Sequence, residues 1–204
     1  MYEDMNLLGF EFFVHKHGYQ KYADVALETI EKYKGILPDF MLAVWERYGL
    51  SSHGEGYIWT VNPDDYSEII REFFGKEHPL VVFARSSFGD LWAVQGDREY
   101  KVMTHYGHAF YFGETDLDSL FSFGIMSLGD EKHAEHLKVL KKLGPIDQDH
   151  MYGYVPMLAL GGDGSLKETK IVKTREYLAL VADTVTEANR NGWNPLGLKD
   201  EEAS

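Results

Sequence analysis

Histidine and aspartate are the residues here whose spacing admits chemistry, and the chemistry would be metal binding. His133 and His136 stand one helical turn apart, and Asp147, Asp149 and His150 follow. Imidazole nitrogens and carboxylate oxygens together can hold a divalent ion. The metalloprotease spacing H-E-x-x-H is absent, because the segment reads His133-Ala134-Glu135-His136. Solvated histidines on a helix face are the plainer reading. His15 and His17, two apart, would share one face of a strand, yet two ligands without a third make no site. No metal and no cofactor are therefore expected. Arg85 and Asp90 flank a turn and read as an ion pair there.

A second chemical possibility lies in Gly161-Gly162-Asp163-Gly164, since a row of backbone amides can cradle a phosphate. The Ser165-Leu166-Lys167 that follows fits neither G-x-x-x-x-G-K-[ST] nor G-x-G-x-x-G, and no helix signal comes next. A structural turn is expected. Nucleophile elbow, Ser-His-Asp pattern and P-loop are all missing, and the lack of cysteine removes thiolate nucleophiles and disulfides.

Composition narrows the class further. With 204 residues, 44% hydrophobic and 14% aromatic, the chain can bury a sizeable core. A formal charge of -13 disfavours nucleic acid and anionic membrane, which both require a basic footprint, and favours a basic partner. No apolar run is long enough to span a bilayer, and Met1-Tyr2-Glu3-Asp4-Met5 is acidic where a signal peptide is basic, so a cytoplasmic location is expected.

The elements that must position these residues follow from periodicity. Phe-rich residues 7–17 read as a strand, residues 20–33 as a helix, and Pro38 opens a second helix that carries Met41, Val44, Trp45 and Tyr48 to a stop at Gly49. Polar residues 51–56 read as a loop and residues 57–61 as a strand. Asn62 or Asp64 then caps a helix over 66–74. Residues 80–112 switch to a period of two, with connections too short for parallel crossovers, and so predict an antiparallel meander. Beyond a boundary at 113–116, Thr115 or Asp116 caps a short helix through Phe123. Asp130 caps another to Leu143, with Ala134, Leu137, Leu140 and Leu143 as its buried stripe. Residues 152–160 read as a buried strand, with Pro156 at an edge, a start or a bulge, and Ile171-Val172 as the return strand. Thr174 caps a last helix whose stripe is Leu178, Val181, Ala182 and Val185, ended by Asn191-Gly192. The fold class expected is α+β, with antiparallel sheets, flanking helices and two packed subdomains.

Several of these segments resemble known families. Leu37-Pro38 through Trp45, Tyr48-Gly49, Gly54 through Gly56, Trp59, Val61-Asn62-Pro63-Asp64 and Ala84 through Leu91, including Phe88 and Gly89, resemble the GAD-like domain. Leu143-Gly144-Pro145, the run Met151 through Gly162 and Glu176 through Leu180 resemble the C-terminal domain of immunity proteins that accompany type VI secretion DNase effectors. The second resemblance is the more specific, through Tyr152, Gly153, Pro156, Gly161 and Gly162. It divides the chain into a GAD-like domain at 1–113, an immunity-protein domain at 114–190 and a polar tail at 191–204. It implies a non-enzymatic bacterial antidote that binds a cognate toxin, a basic nuclease, with no direct nucleic acid or membrane partner. The motif residues, apolar or glycine, are expected to build the fold. The toxin is expected on exposed acids near loops: Asp64, Asp65, Asp90, Asp116, Asp118, Asp147, Asp149 and Asp163. An intracellular scaffold without a toxin, or a metal enzyme built on His133, His136, Asp149 and His150, are the other classes.

Overall fold

The computed structural model describes residues 2, 4–75, 79–114, 116, 117, 120, 121 and 131–191. Its centre is a seven-stranded antiparallel meander in sequence order: β1 (Gln20–Ala23), β2 (Leu50–His53), β3 (Ile58–Thr60), β4 (Val81–Ser86), β5 (Leu91–Gln95), β6 (Arg98–Met103) and β7 (His108–Glu114). A separate hairpin pairs β8 (His150–Tyr154) with β9 (Thr169–Lys173). The helices are α1 (Leu8–His17), α2 (Leu27–Tyr33), α3 (Asp39–Tyr48), α4 (Ser67–Phe74), α5 (Glu131–Leu143) and α6 (Thr174–Arg190). This is the expected α+β class.

Alternation along β5 explains the layering. Successive strand side chains point to opposite faces, and Trp92 and Val94 enter one core while Leu91 and Ala93 enter another. On the first face pack Phe10 and Phe13 of α1, Trp45 of α3 and Val139 of α5. On the second lie Ile69 and Ile70 of α4 and Leu178, Val181 and Val185 of α6. Each core crosses residue 113: Tyr152 and Tyr154 join the first, and Met151 and Tyr177 the second. Tyr177 binds the hairpin twice, its hydroxyl accepting from Tyr154 N–H and donating to Tyr154 C=O, both at 2.8 Å.

Several local expectations are corrected. The stretch expected as a strand over 7–17 is instead the helix α1 with Leu7 at its N-cap, because the buried Leu7, Phe10 and Phe13 recur every three residues, while Leu8 and Phe12 face solvent. His15 and His17 therefore sit roughly 200° apart around the helix axis and share no face. Residues 20–33 divide into β1 and α2, since Gln20 and Lys21 pair with Ser52 and Ser51. Those serines belong to a buried strand where a loop is expected; their polarity is absorbed internally, Ser51 Oγ meeting His53 Nε2 at 3.0 Å and Ser51 N–H donating to Thr60 Oγ1 at 2.8 Å. The strand expected over 152–160 ends at Tyr154, two residues before Pro156, which lacks the N–H a ladder needs, and residues 158–160 form a 3₁₀ turn. On α5 the buried positions are His136 and Val139, whereas Ala134 and Leu137 are exposed. Lys173, whose side chain makes no capping bond, stands at the N-cap of α6, and Thr174 is its buried first residue. The predicted caps Thr115 and Asp130, the end of the short helix at Phe123, Gly192 and the rest of the tail lie outside the described residues.

Candidate functional site

Arg85 organises an enclosed polar region. It sits on β4 directly opposite Trp59 of β3, so the two side chains share a face, and the guanidinium lies 4.8 Å from the Trp59 ring centre. Arg85 is fully buried. Its Nη2 donates to the carbonyls of Asp147 (3.3 Å), Gln148 (3.1 Å) and His150 (3.1 Å), and Nη1 to that of Ser86. The expected ion pair with Asp90 does not form, because Arg85 points into the core and Asp90 meets Lys101 at 3.6 Å.

The 147–150 loop that Arg85 holds is closed on itself. Asp147 Oδ1 accepts from His150 Nδ1 at 2.6 Å and from Asp149 N–H at 2.9 Å, and the His150 contact holds the Asp147 carboxyl below its usual range. Facing the loop, Asn62 accepts from Asp64 N–H at the start of the 3₁₀ turn Pro63–Asp65. Between them opens a cleft of about 420 Å³, with Tyr22, Asp65 and Tyr66 on one side and Asp149, His150 and the start of α6 on the other. Burial raises the Asp65 carboxyl; Arg175 opposes that shift, and Asp64 and Asp149 add to it. Asp64 is lowered instead, by its bond from Lys32 and another from the Tyr33 hydroxyl.

Two of the predicted acids, Asp65 and Asp149, line this cleft, and Asp64 and Asp147 belong to the same two turns of chain. Asp90 and Asp163 line a smaller one of about 240 Å³ with His105, Lys132, Glu135 and Tyr154. Asp116 stands apart, its N–H donating to the buried Glu99 carboxylate at 2.9 Å, and Asp118 lies outside the described residues. In the glycine turn three amides are already occupied: Gly161 N–H donates to Leu158 C=O and Gly162 N–H to Met157 C=O, both at 3.0 Å, and Asp163 N–H to Glu168 Oε2 at 2.7 Å. Among the family residues, Trp45, Phe88 and Tyr152 are core, and Gly153 lies against Tyr177 where a Cβ would meet the ring at 2.8 Å.

His133 and His136 stack with ring centres 6.0 Å apart, but His150 belongs to the Arg85 loop. Among the described residues no three His, Asp or Glu side chains converge on a metal position. His136 is not solvated as expected: it is fully buried, with Nδ1 3.0 Å from Ser87 Oγ and rings of Tyr57 and Tyr152 beside it. The packed face of α5 turns it inward. Arg85 and His136 are what sequence reasoning missed as organisers. A cation directly after the apolar run Leu80–Ala84 was the only signal available for Arg85.

These buried histidines carry a pH prediction. Burial lowers both His53 and His136 to about 4, whereas in the unfolded chain they titrate near about 6.5. Between those values the unfolded state holds more protons, so stability is complete above about pH 6.5 and falls as pH drops toward 4. The slope approaches about 1.4 kcal/mol per pH unit for each histidine. Urea midpoints between about pH 7 and pH 5 should fall steadily. A flat profile would show that neither ring resists protonation.

Comparison with known proteins agrees with this architecture. Residues 9–106 match the GAD-like domain, and residues 118–185 match the T6SS immunity protein Tdi1, C-terminal. The fold is similar to the crystal structure of Atu4351 from Agrobacterium tumefaciens, with a TM-score of 0.74 at 20% identity, covering 89% of this chain and 88% of that chain. No curated protein matches the sequence significantly. Among the described residues no helix is long and apolar enough to cross a membrane. The chain thus carries a match to the GAD-like domain at residues 9–106 followed by a match to the T6SS Tdi1 immunity-protein C-terminal domain at residues 118–185.

Proposed function

We propose that this protein is a non-enzymatic immunity protein that stays in the cytoplasm and neutralises a cognate type VI secretion effector, a nuclease, by binding it. The observation that carries the reading is the match of residues 118–185 to the Tdi1 immunity domain. The charge of -13 supports it independently. A nuclease surface built for phosphates is basic, and an acidic partner is steered to it at rates far above those of neutral pairs. Co-purification with the product of the adjacent gene, followed by a DNA-cleavage assay, tests the proposal. A stable complex with loss of cleavage is the expected result; full cleavage at saturating concentration would reject it.

The acids should act in groups. Reversing Asp64, Asp65, Asp147 and Asp149 to lysine together should slow association at least tenfold at low salt and flatten its salt dependence. Reversing Asp90 and Asp163 tests the smaller cleft, and Asp116 and Asp118 the remaining surface. Stopped-flow binding by variants of unchanged melting temperature decides which group faces the toxin. Unaltered rates in all three sets would remove the acidic surface from the mechanism.

A further inference from the structure

We infer that the cleft between Asp65 and the 147–150 loop receives one basic side chain, an arginine or lysine, from the neutralised toxin. The owner of that side chain rests on the immunity reading; the pocket rests on geometry. Charges around the rim are matched in pairs: Asp64 with Lys32, Asp147 with His150, Glu176 with Lys173, and Arg175 with Glu68. Asp65 and Asp149, which line the cleft, make no ion pair among the described residues. Asp149 Oδ2 is approached by the Gln148 amide at 3.5 Å, the limit of a hydrogen bond. Two carboxylates thus face one cavity of about 420 Å³ without an ion-pair partner at contact distance, Arg175 acting on Asp65 only from farther off.

A separate observation points to an occupant. Thr174 lines the same cleft and is 3% exposed, yet its hydroxyl oxygen is buried without a hydrogen-bond partner. Buried polar atoms are rarely left so. A guanidinium brings five N–H donors in a planar fork and an ammonium three, enough for both carboxylates and the Thr174 oxygen. Tyr22 and Tyr66 supply aromatic wall on which the stem of such a side chain can rest. The competing occupant is an anion, drawn by the positive end of α6 and by Lys173 and Arg175. Lys173 and Arg175 are already paired, and Glu176 accepts from its own backbone amide at that helix end. The two carboxylates without an ion-pair partner decide for the cation. Asp65 lies in the stretch matching the GAD-like domain, and Asp149 and Thr174 in the stretch matching the immunity domain. One inserted side chain would therefore join both.

The test uses the intact protein and Nα-acetyl-arginine methylamide, with the neutral citrulline analogue and inorganic phosphate as controls, followed by NMR. Saturable shifts of the Asp149 and Thr174 amides with the arginine probe alone, lost in D65N/D149N and weakened in T174V, are expected. Shifts produced by phosphate instead, or equally by citrulline, would overturn the inference. Binding to the adjacent-gene toxin provides the second arm, where D65N/D149N should lose on the order of 10- to 100-fold in affinity. If wild type binds the toxin and the variant binds it equally well, the pocket fails while the immunity reading stands. If wild type does not bind it, the immunity reading fails and the arginine titration still decides the pocket.

Discussion

Arg85→Met should lower folding stability by about 3 kcal/mol and loosen the 147–150 loop more than the rest of the molecule. Replacing a buried charge by an apolar residue of similar length can be neutral when both partners of an ion pair are removed together. Here only one partner leaves. The carbonyls of Asp147, Gln148 and His150 stay where the chain places them, without the donor that now serves all three. Hydrogen bonds to a charged group contribute about 1.5–3 kcal/mol each. One Nη2 shared among three acceptors at 3.1–3.3 Å belongs at the lower end per contact, and the Trp59 stacking adds about 1 kcal/mol. Against this, methionine escapes the cost of burying a cation. Urea unfolding measures the total, and hydrogen exchange at residues 150–153 against β5 measures its location. Arg85→Lys keeps the charge without the fork and should recover only part. A variant as stable as wild type, with unchanged exchange in β8, would show that the loop does not depend on the guanidinium.

Gly49→Ala should cost about 3 kcal/mol or more, through backbone geometry alone. Gly49 ends α3 with φ 67° and ψ -157°, a region open essentially to glycine. An added Cβ would also lie 2.4 Å from the Ala23 carbonyl oxygen. That carbonyl cannot retreat freely, because Ala23 is in register with Leu50 where β1 joins the sheet. Gly96→Ala is the comparison at positive φ without a contact: its φ is 60° with nothing within 4 Å of the new Cβ, so only backbone strain of about 1–2 kcal/mol applies. Denaturation midpoints of the two variants separate the causes. Equal losses at both positions would mean that neither the Ala23 contact nor the ψ of -157° at Gly49 adds to the strain of a positive φ.

The meander over 80–112 and the last helix were legible because their signals are local. Period-two alternation with short turns leaves one way to pair neighbours, and Leu178, Val181, Ala182 and Val185 mark one helix face, all of them buried. The family residues of the 151–162 stretch were legible as chemistry of an unusual kind, though not as a shape. Residues 7–17 misled because phenylalanine favours strands on average while spacing decides the face that packs. The serines of β2 misled because polarity usually marks a loop, and only the partners Thr60 and His53 make them core.

By itself the chain determined the fold class, the order of its two matched domains and the acidic charge. Each of these depends on composition, periodicity or local motif. Tertiary structure alone decided that Arg85 holds a loop some sixty residues away (|i−j| 62 to 65) and that His136 is buried against Ser87. It also decided that Asp65 and Asp149 face one cleft. The physical reason is the same in each case: a buried polar group is defined by partners distant in sequence, and one chain read alone records the group but not the partner.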